Sequence, residues 1–258
     1  MASFLDASFF YLSRANSASM PPQEKYLEIY MSNKTLKDIL KDPVLKKYIK
    51  EYHRKKGKIA ILAYHAGGIE EGTEQIARYI CENSNASLYV FSGIKKTGNR
   101  VFHIDSHRIK KQHSPLLKEI IDHVDSAISI HKTRYTSVFI GGCNRELAKK
   151  IGKRLKEELP KKYGIIYDLK KIPYRLRGIH PNNIVNQTTP NRGVQIELPP
   201  SLACASTIAP IINRCAKKGI GKSRHQYSEL YGDTLIVGKV LSEIIKEEEK
   251  YNQWMSTS

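Results

Sequence analysis

Acidic residues are scarce in this sequence: 25 Asp and Glu stand against 43 Lys and Arg, leaving a formal charge of +18 and an isoelectric point near 9.6. Such a field draws polyanions to the surface without choosing among nucleic acid, anionic lipid and an acidic polymer. Long apolar runs are missing as well; no stretch of eighteen such residues occurs, so no membrane span is expected. The four cysteines, Cys81, Cys143, Cys204 and Cys215, show no C-x-x-C spacing, and we read them as reduced and mostly buried, not as a disulfide framework. No Lys or Arg precedes the apolar stretch in "MASFLDASFFYLSRANSASM", and Asp6 interrupts it, which makes a poor signal peptide. The expectation is therefore a protein that is cytoplasmic or released by lysis. Repeats, a helix-turn-helix signature, zinc-finger spacing and an aromatic stacking motif are all absent, so nucleic-acid binding is not favoured despite the charge.

What is present fits one folded domain of ordinary size, 258 residues in all. Residues 1–33 read as an irregular N-terminal extension and residues 34–57 as a basic helical segment broken near Pro43. Residues 58–258 read as the main domain. There strand and helix patterns alternate. Strands are expected at 58–64, 86–93, 126–131, 136–142, 163–169 and 193–198. Helices are expected at 73–84, 114–125, 144–159, 200–218 with a kink at Pro210, and 231–251. Alternation of this kind predicts an α/β fold in three layers, with a mostly parallel sheet flanked by helices on both faces. Sites in such sheets gather at the carboxyl ends of the strands.

Three of those strand ends carry chemistry. His65 follows "KIAILAY", His131 ends "SAISIH", and Glu197 lies near the end of "GVQIEL"; Glu70 and Glu71 occupy the loop after the first strand. Two histidines and a carboxylate on neighbouring strand ends suit a catalytic zinc with its fourth position open to water. A separate carboxylate nearby can take a proton from that water and later pass it to a leaving amine. Gly67 and Gly68 would let the loop turn back, so that a carboxylate five residues on meets the same ion as His65.

The order of segments "YHAGGIEEGTEQIA", "FHIDSH", "AISIHK", "VFIGGCNREL", "NNIVNQ" and "GVQIEL" resembles the poly-gamma-glutamate hydrolase family, which is found in phages and bacteria and is related to zinc carboxypeptidases. The resemblance covers roughly residues 58–205. It implies a carboxypeptidase-like domain with a mixed central sheet, one zinc ion held by His65, Glu70 and His131, and Glu197 as general base and acid. The implied activity is hydrolysis of gamma-amide bonds in poly-gamma-glutamate. Glu70 is the acid that aligns with the family motif, while Glu71 reads as a helix N-terminal acid. The chain departs from the family pattern at Ala66, Asp105, Lys132, Gln187 and Leu202–Ala203.

His103 resembles a family pocket position and is a candidate substrate contact. Asn183 and Asn186 could donate to a substrate carboxylate or hold a tight loop between Pro181 and Pro190. Arg177 and Arg192 are the nearest cations for binding that carboxylate, and Glu74 is a lesser candidate for orienting a ligand histidine. A polyanionic substrate would also make use of the +18 charge. The competing readings are a nucleic-acid-binding protein, a metal-dependent deacylase on an RNA-linked substrate, and a peptidoglycan peptidase.

Overall fold

Near-continuous apolar runs make the centre of the sheet. "IAILAY" and "LYVF" are buried on both faces, as parallel strands covered by helices require. The computed structural model describes residues 34–188, 192–203, 230 and 232–257. From residue 35 onward the chain forms one unit built on a mixed sheet of seven strands. In chain order these are β1 (Ile49–Arg54), β2 (Ile59–Gly67), β3 (Ser87–Gly93), β4 (Ser126–Lys132), β5 (Val138–Gly141), β6 (Ile165–Ile166) and β7 (Gly193–Leu198). They lie side by side as β1-β3-β2-β4-β7-β5-β6. The central four, β3, β2, β4 and β7, are mutually parallel, while β1 and β5 run antiparallel to their inner neighbours. The carboxyl ends of β2, β4 and β7 therefore share one edge.

The helices are α1 (Leu36–Lys41), α2 (Pro43–Lys46), α3 (Thr73–Glu82), α4 (Pro115–His123), α5 (Arg145–Glu158), α6 (Pro200–Ala203) and α7 (Gly232–Thr257). Ile61, Ala63, Val90, Ile128, Ile130, Val194 and Ile196 point to one face and pack under α3, α5 and α7. Residues of opposite parity, including Tyr89, Phe91, Ser129, His131, Gln195 and Glu197, point to the other face, where α4 and short 3-10 turns lie. Ser114 caps α4 by accepting from Leu117 N, with Pro115 at the first helical position, and Asn144 caps α5 by accepting from Leu147 N.

Three expectations need correction. The helical reading of 34–57 holds only to Lys46, and Ile49–Arg54 is an edge strand paired with β3. The strand expected over 163–169 shrinks to Ile165–Ile166. Cys143 is exposed, whereas Cys81 is buried as expected, and both are free. The helix expected over 200–218 is seen through Ala203; its remainder, with Pro210, Cys204 and Cys215, lies outside the described residues, as does the extension 1–33. Among the described residues no helix is long and apolar enough to cross a membrane.

Candidate metal centre

The site begins with a defect in β2. Its register against β3 slips between Ala63 and Ala66, so Tyr64 and His65 sit on a bulge, a device that re-aims side chains at strand ends. Gly67 then adopts a left-handed conformation at φ 67°, and a Cβ there would lie 2.5 Å from the Gly93 carbonyl oxygen. The turn closes when Glu70 N donates to His65 O at 2.7 Å. Glu70 thereby returns to His65, as the glycine spacing predicts.

His65 Nδ1 lies 3.1 Å from Glu70 Oε1 and 3.1 Å from His131 Nδ1, and His131 Nδ1 lies 3.3 Å from Glu70 Oε2. Both imidazoles are held from behind. His65 Nε2 donates to the Ile104 carbonyl at 2.7 Å. Tyr64 O–H donates to Ser106 Oγ at 2.9 Å, so its oxygen accepts from His131 Nε2 at 2.8 Å. With each Nε2 serving as donor, each imidazole, when neutral, turns an Nδ1 lone pair inward. Lys132 N donates to Glu70 Oε2 at 2.9 Å, a contact that uses only backbone and leaves the side chain at this position free to vary.

Two bare nitrogens and a carboxylate at these separations repel one another unless a cation lies between them. Tetrahedral zinc with bonds of 2.0–2.1 Å places its ligand atoms about 3.3 Å apart, which is the spacing found. The donor set therefore fits zinc. Electrostatics within the site point the same way. Burial, then the neighbouring His103, holds the His65 pKa down to about 4. Burial works against the charge on Glu70, yet His65 and His131 outweigh it and keep this carboxyl well below its usual range. Burial also opposes charge on His131, but Tyr64, Glu70 and Glu197 raise its pKa well above the ordinary value. In the metal-free chain the demand for positive charge thus falls on His131.

Glu197 faces His131 directly across the β4–β7 pair, about 4.8 Å away in the pairing direction. It is buried, and burial lifts its pKa to about 7, with Glu70 adding to the rise and His131 opposing it. Its Oε1 accepts from Gln195 Nε2 at 2.8 Å. His103 stands at the mouth, its side chain 39% exposed, with its ring centroid 4.0 Å from that of His65 and its Nε2 3.5 Å from Glu70 Oε1. Its ligand atom also groups with those of His65 and Glu70 within 4.8 Å. His131, by contrast, is buried, fixed from behind and closer to both His65 and Glu70.

The other candidates fall elsewhere. Arg192 immediately precedes β7, five residues or about 16 Å of strand from Glu197, and lies at the wrong end of the sheet. Arg177 is held through its carbonyl by Gly142 N, near the start of β7; its Nε donates to the Ile172 carbonyl and its guanidinium lies over Tyr174. Asn183 and Asn186 are buried. Asn183 donates to Gln195 Oε1, and Asn186 donates to the carbonyls of Gly178 and His180, so their amides hold the loop and do not face a ligand. Glu74 accepts from Tyr52 and Ser92 and touches neither histidine. Sequence reasoning overlooked Tyr64 and Gln195; for Gln195 the signal was available in its spacing, two residues before Glu197 and therefore on the same face of the strand.

Residues 31–204 match the family described as poly-gamma-glutamate hydrolase. The chain belongs to this family. YmaC of Bacillus subtilis (strain 168), a UPF0714 protein, is 31% identical over 150 residues, which make up 57% of this chain and 60% of YmaC. The SPbeta prophage-derived UPF0714 protein YoqZ of the same organism is 31% identical over 143 residues, 55% of this chain and 48% of YoqZ. The chain thus spans between 48% and 60% of the curated relatives it matches. Among solved structures, a bacteriophage poly-gamma-glutamate hydrolase superposes with a TM-score of 0.60 at 24% identity, over 80% of this chain and 91% of that one. Zinc-free YndL superposes with a TM-score of 0.61 at 22% identity, over 81% and 93%. Both share the mixed-sheet fold described above.

Proposed function

We propose that this chain is a zinc-dependent amidohydrolase that cleaves the gamma-glutamyl bonds of poly-gamma-glutamate or a closely similar acidic peptide polymer. The observation that carries this reading is the convergence of His65 Nδ1, His131 Nδ1 and the Glu70 carboxylate at zinc-like separations, with a second carboxylate, Glu197, on the neighbouring strand. Family membership supports the polymer as substrate, and the net charge of +18 suits a chain bearing one carboxylate per residue.

His65, Glu70 and His131 would hold the ion; zinc bound there acidifies water and polarises a carbonyl. Glu197 accepts a proton from the attacking water and returns it to the departing nitrogen, a task suited to a carboxylate whose pKa stands at about 7. His103, half-exposed at the rim and beside Glu70, contacts the bound substrate.

The test is a size-exclusion assay of poly-gamma-glutamate after incubation with zinc-loaded protein, with Glu197→Gln alongside. Shortening by the unaltered protein is expected, with loss of at least about 100-fold in rate for the variant. An intact polymer with the zinc-loaded protein would remove this substrate, and equal rates in both samples would remove Glu197 from the mechanism.

A further inference from the structure

The Gln195 side chain is gripped at both ends. Its Nε2 donates to Glu197 Oε1 at 2.8 Å, and its Oε1 accepts from Asn183 Nδ2 at 2.7 Å. All three residues are buried. An ionised carboxylate only accepts, so Glu197 requires the NH2 end of Gln195, and the NH2 of Asn183 requires the carbonyl end. The two neighbours thus select the same orientation of one amide. Asn183 is fixed in turn, because its Oδ1 accepts from Val185 N at 3.3 Å at the head of the 3-10 turn Ile184–Gln187. Gly178 closes over the relay: a Cβ there would come 2.7 Å from Gln195 Cβ, which leaves the glutamine little room to swing. Among the described residues, no hydrogen bond reaches the second oxygen of Glu197.

We propose that Asn183 and Gln195 are positioning residues, a directed relay that pins one oxygen of Glu197 and leaves the other to work on water and substrate. This rests on the reading of Glu197 as the general base. It differs from a packing role in a way that substitution can expose. Asn183→Asp keeps the oxygen that accepts from Val185 N, so the loop stays capped. An ionised aspartate has no donor, however, so Gln195 must turn its NH2 toward residue 183 and present its carbonyl to Glu197, where acceptor meets acceptor. Asn183→Ala removes the cap and the relay contact together but leaves Gln195 free to keep its NH2 on Glu197.

The experiment compares zinc-loaded wild-type protein, Asn183→Asp and Asn183→Ala at pH 8, reading kcat and KM on poly-gamma-glutamate, zinc content, melting temperature and the side-chain NH2 resonances of 15N-labelled Gln195. For Asn183→Asp we expect one zinc per chain, a lowered melting temperature from the buried charge and the acceptor–acceptor contact, unchanged KM and a loss in kcat on the order of 10- to 100-fold. Asn183→Ala should also melt below wild type yet lose less in kcat. The reverse order, with the alanine variant worse in kcat and the aspartate variant near wild type, is what loop capping alone predicts and overturns the relay. Should wild-type protein leave the polymer intact, the assigned substrate fails separately and the resonances decide. Displaced Gln195 NH2 shifts in both Asn183→Asp and Glu197→Gln support the relay, and shifts that stay in place overturn it.

Discussion

Glu197 lies buried beside a carboxylate and an imidazole, and its pKa of about 7 stands above the ordinary 4.5. An acid raised in this way stabilises the fold fully below pH 4.5, where it is neutral in both states. That stability is lost as pH rises toward 7, because the unfolded chain releases the proton first. The loss amounts to about 3 kcal/mol. Glutamine does not titrate, so for metal-free protein we expect Glu197→Gln to match wild type at pH 4.5 and to exceed it by about that amount at pH 8. Urea unfolding at the two pH values checks this, and a difference that does not change with pH counts against it. At this scale the ligand and base roles of His65, Glu70, His131 and Glu197 came from the family resemblance, while their nearness was legible from strand ends and glycine spacing. Tyr64 was not, since a tyrosine closing an apolar run reads as core, and its phenol on His131 exists only once β2 and β4 are paired. Arg192 was misjudged although the direction of its strand was legible: a residue that opens a parallel strand lies at the end opposite the site.

The turn from Gly67 to Glu70 is the local element on which the site depends. An alanine at Gly67 must take a left-handed conformation, which costs about 1–2 kcal/mol, and its methyl meets the Gly93 carbonyl, a backbone atom of a central strand that cannot withdraw. Gly67→Ala should therefore lower the unfolding free energy measured in urea by at least that amount and reduce bound zinc below one per chain. A variant with wild-type stability and full zinc would show that the turn can relax. Most other elements were visible in hydrophobic periodicity, and β1 was the exception. "IKEYHR" follows a helical stretch, carries four charged or titratable residues and buries only one face partially, because it forms the sheet edge against β3. Edge strands of this kind carry charges that discourage pairing with other chains, and those charges erase the apolar alternation by which a strand is recognised.

Across the whole chain the excess of cations acts at a distance. Steering of a polyanion weakens as the screening length shortens from roughly 10 Å at 0.1 M salt to roughly 3 Å at 1 M. We expect KM for poly-gamma-glutamate to rise roughly 10-fold over that range while kcat stays within about twofold. Steady-state kinetics at the two salt concentrations check this, and a flat KM would mean that local contacts at the site suffice for capture. The pairing of His131 with Glu197 across β4 and β7 also governs how this molecule can fail. Because alternate residues of a strand face opposite ways, a slip of one position would turn Glu197 into the apolar layer and bring a leucine or isoleucine opposite the histidine. The same slip would strip Val194 and Ile196 from the core. Errors of assembly are thus coupled to loss of the site: a mispaired chain is unstable and no longer brings His131 and Glu197 together, so an intact site itself reports that the central strands have found their register.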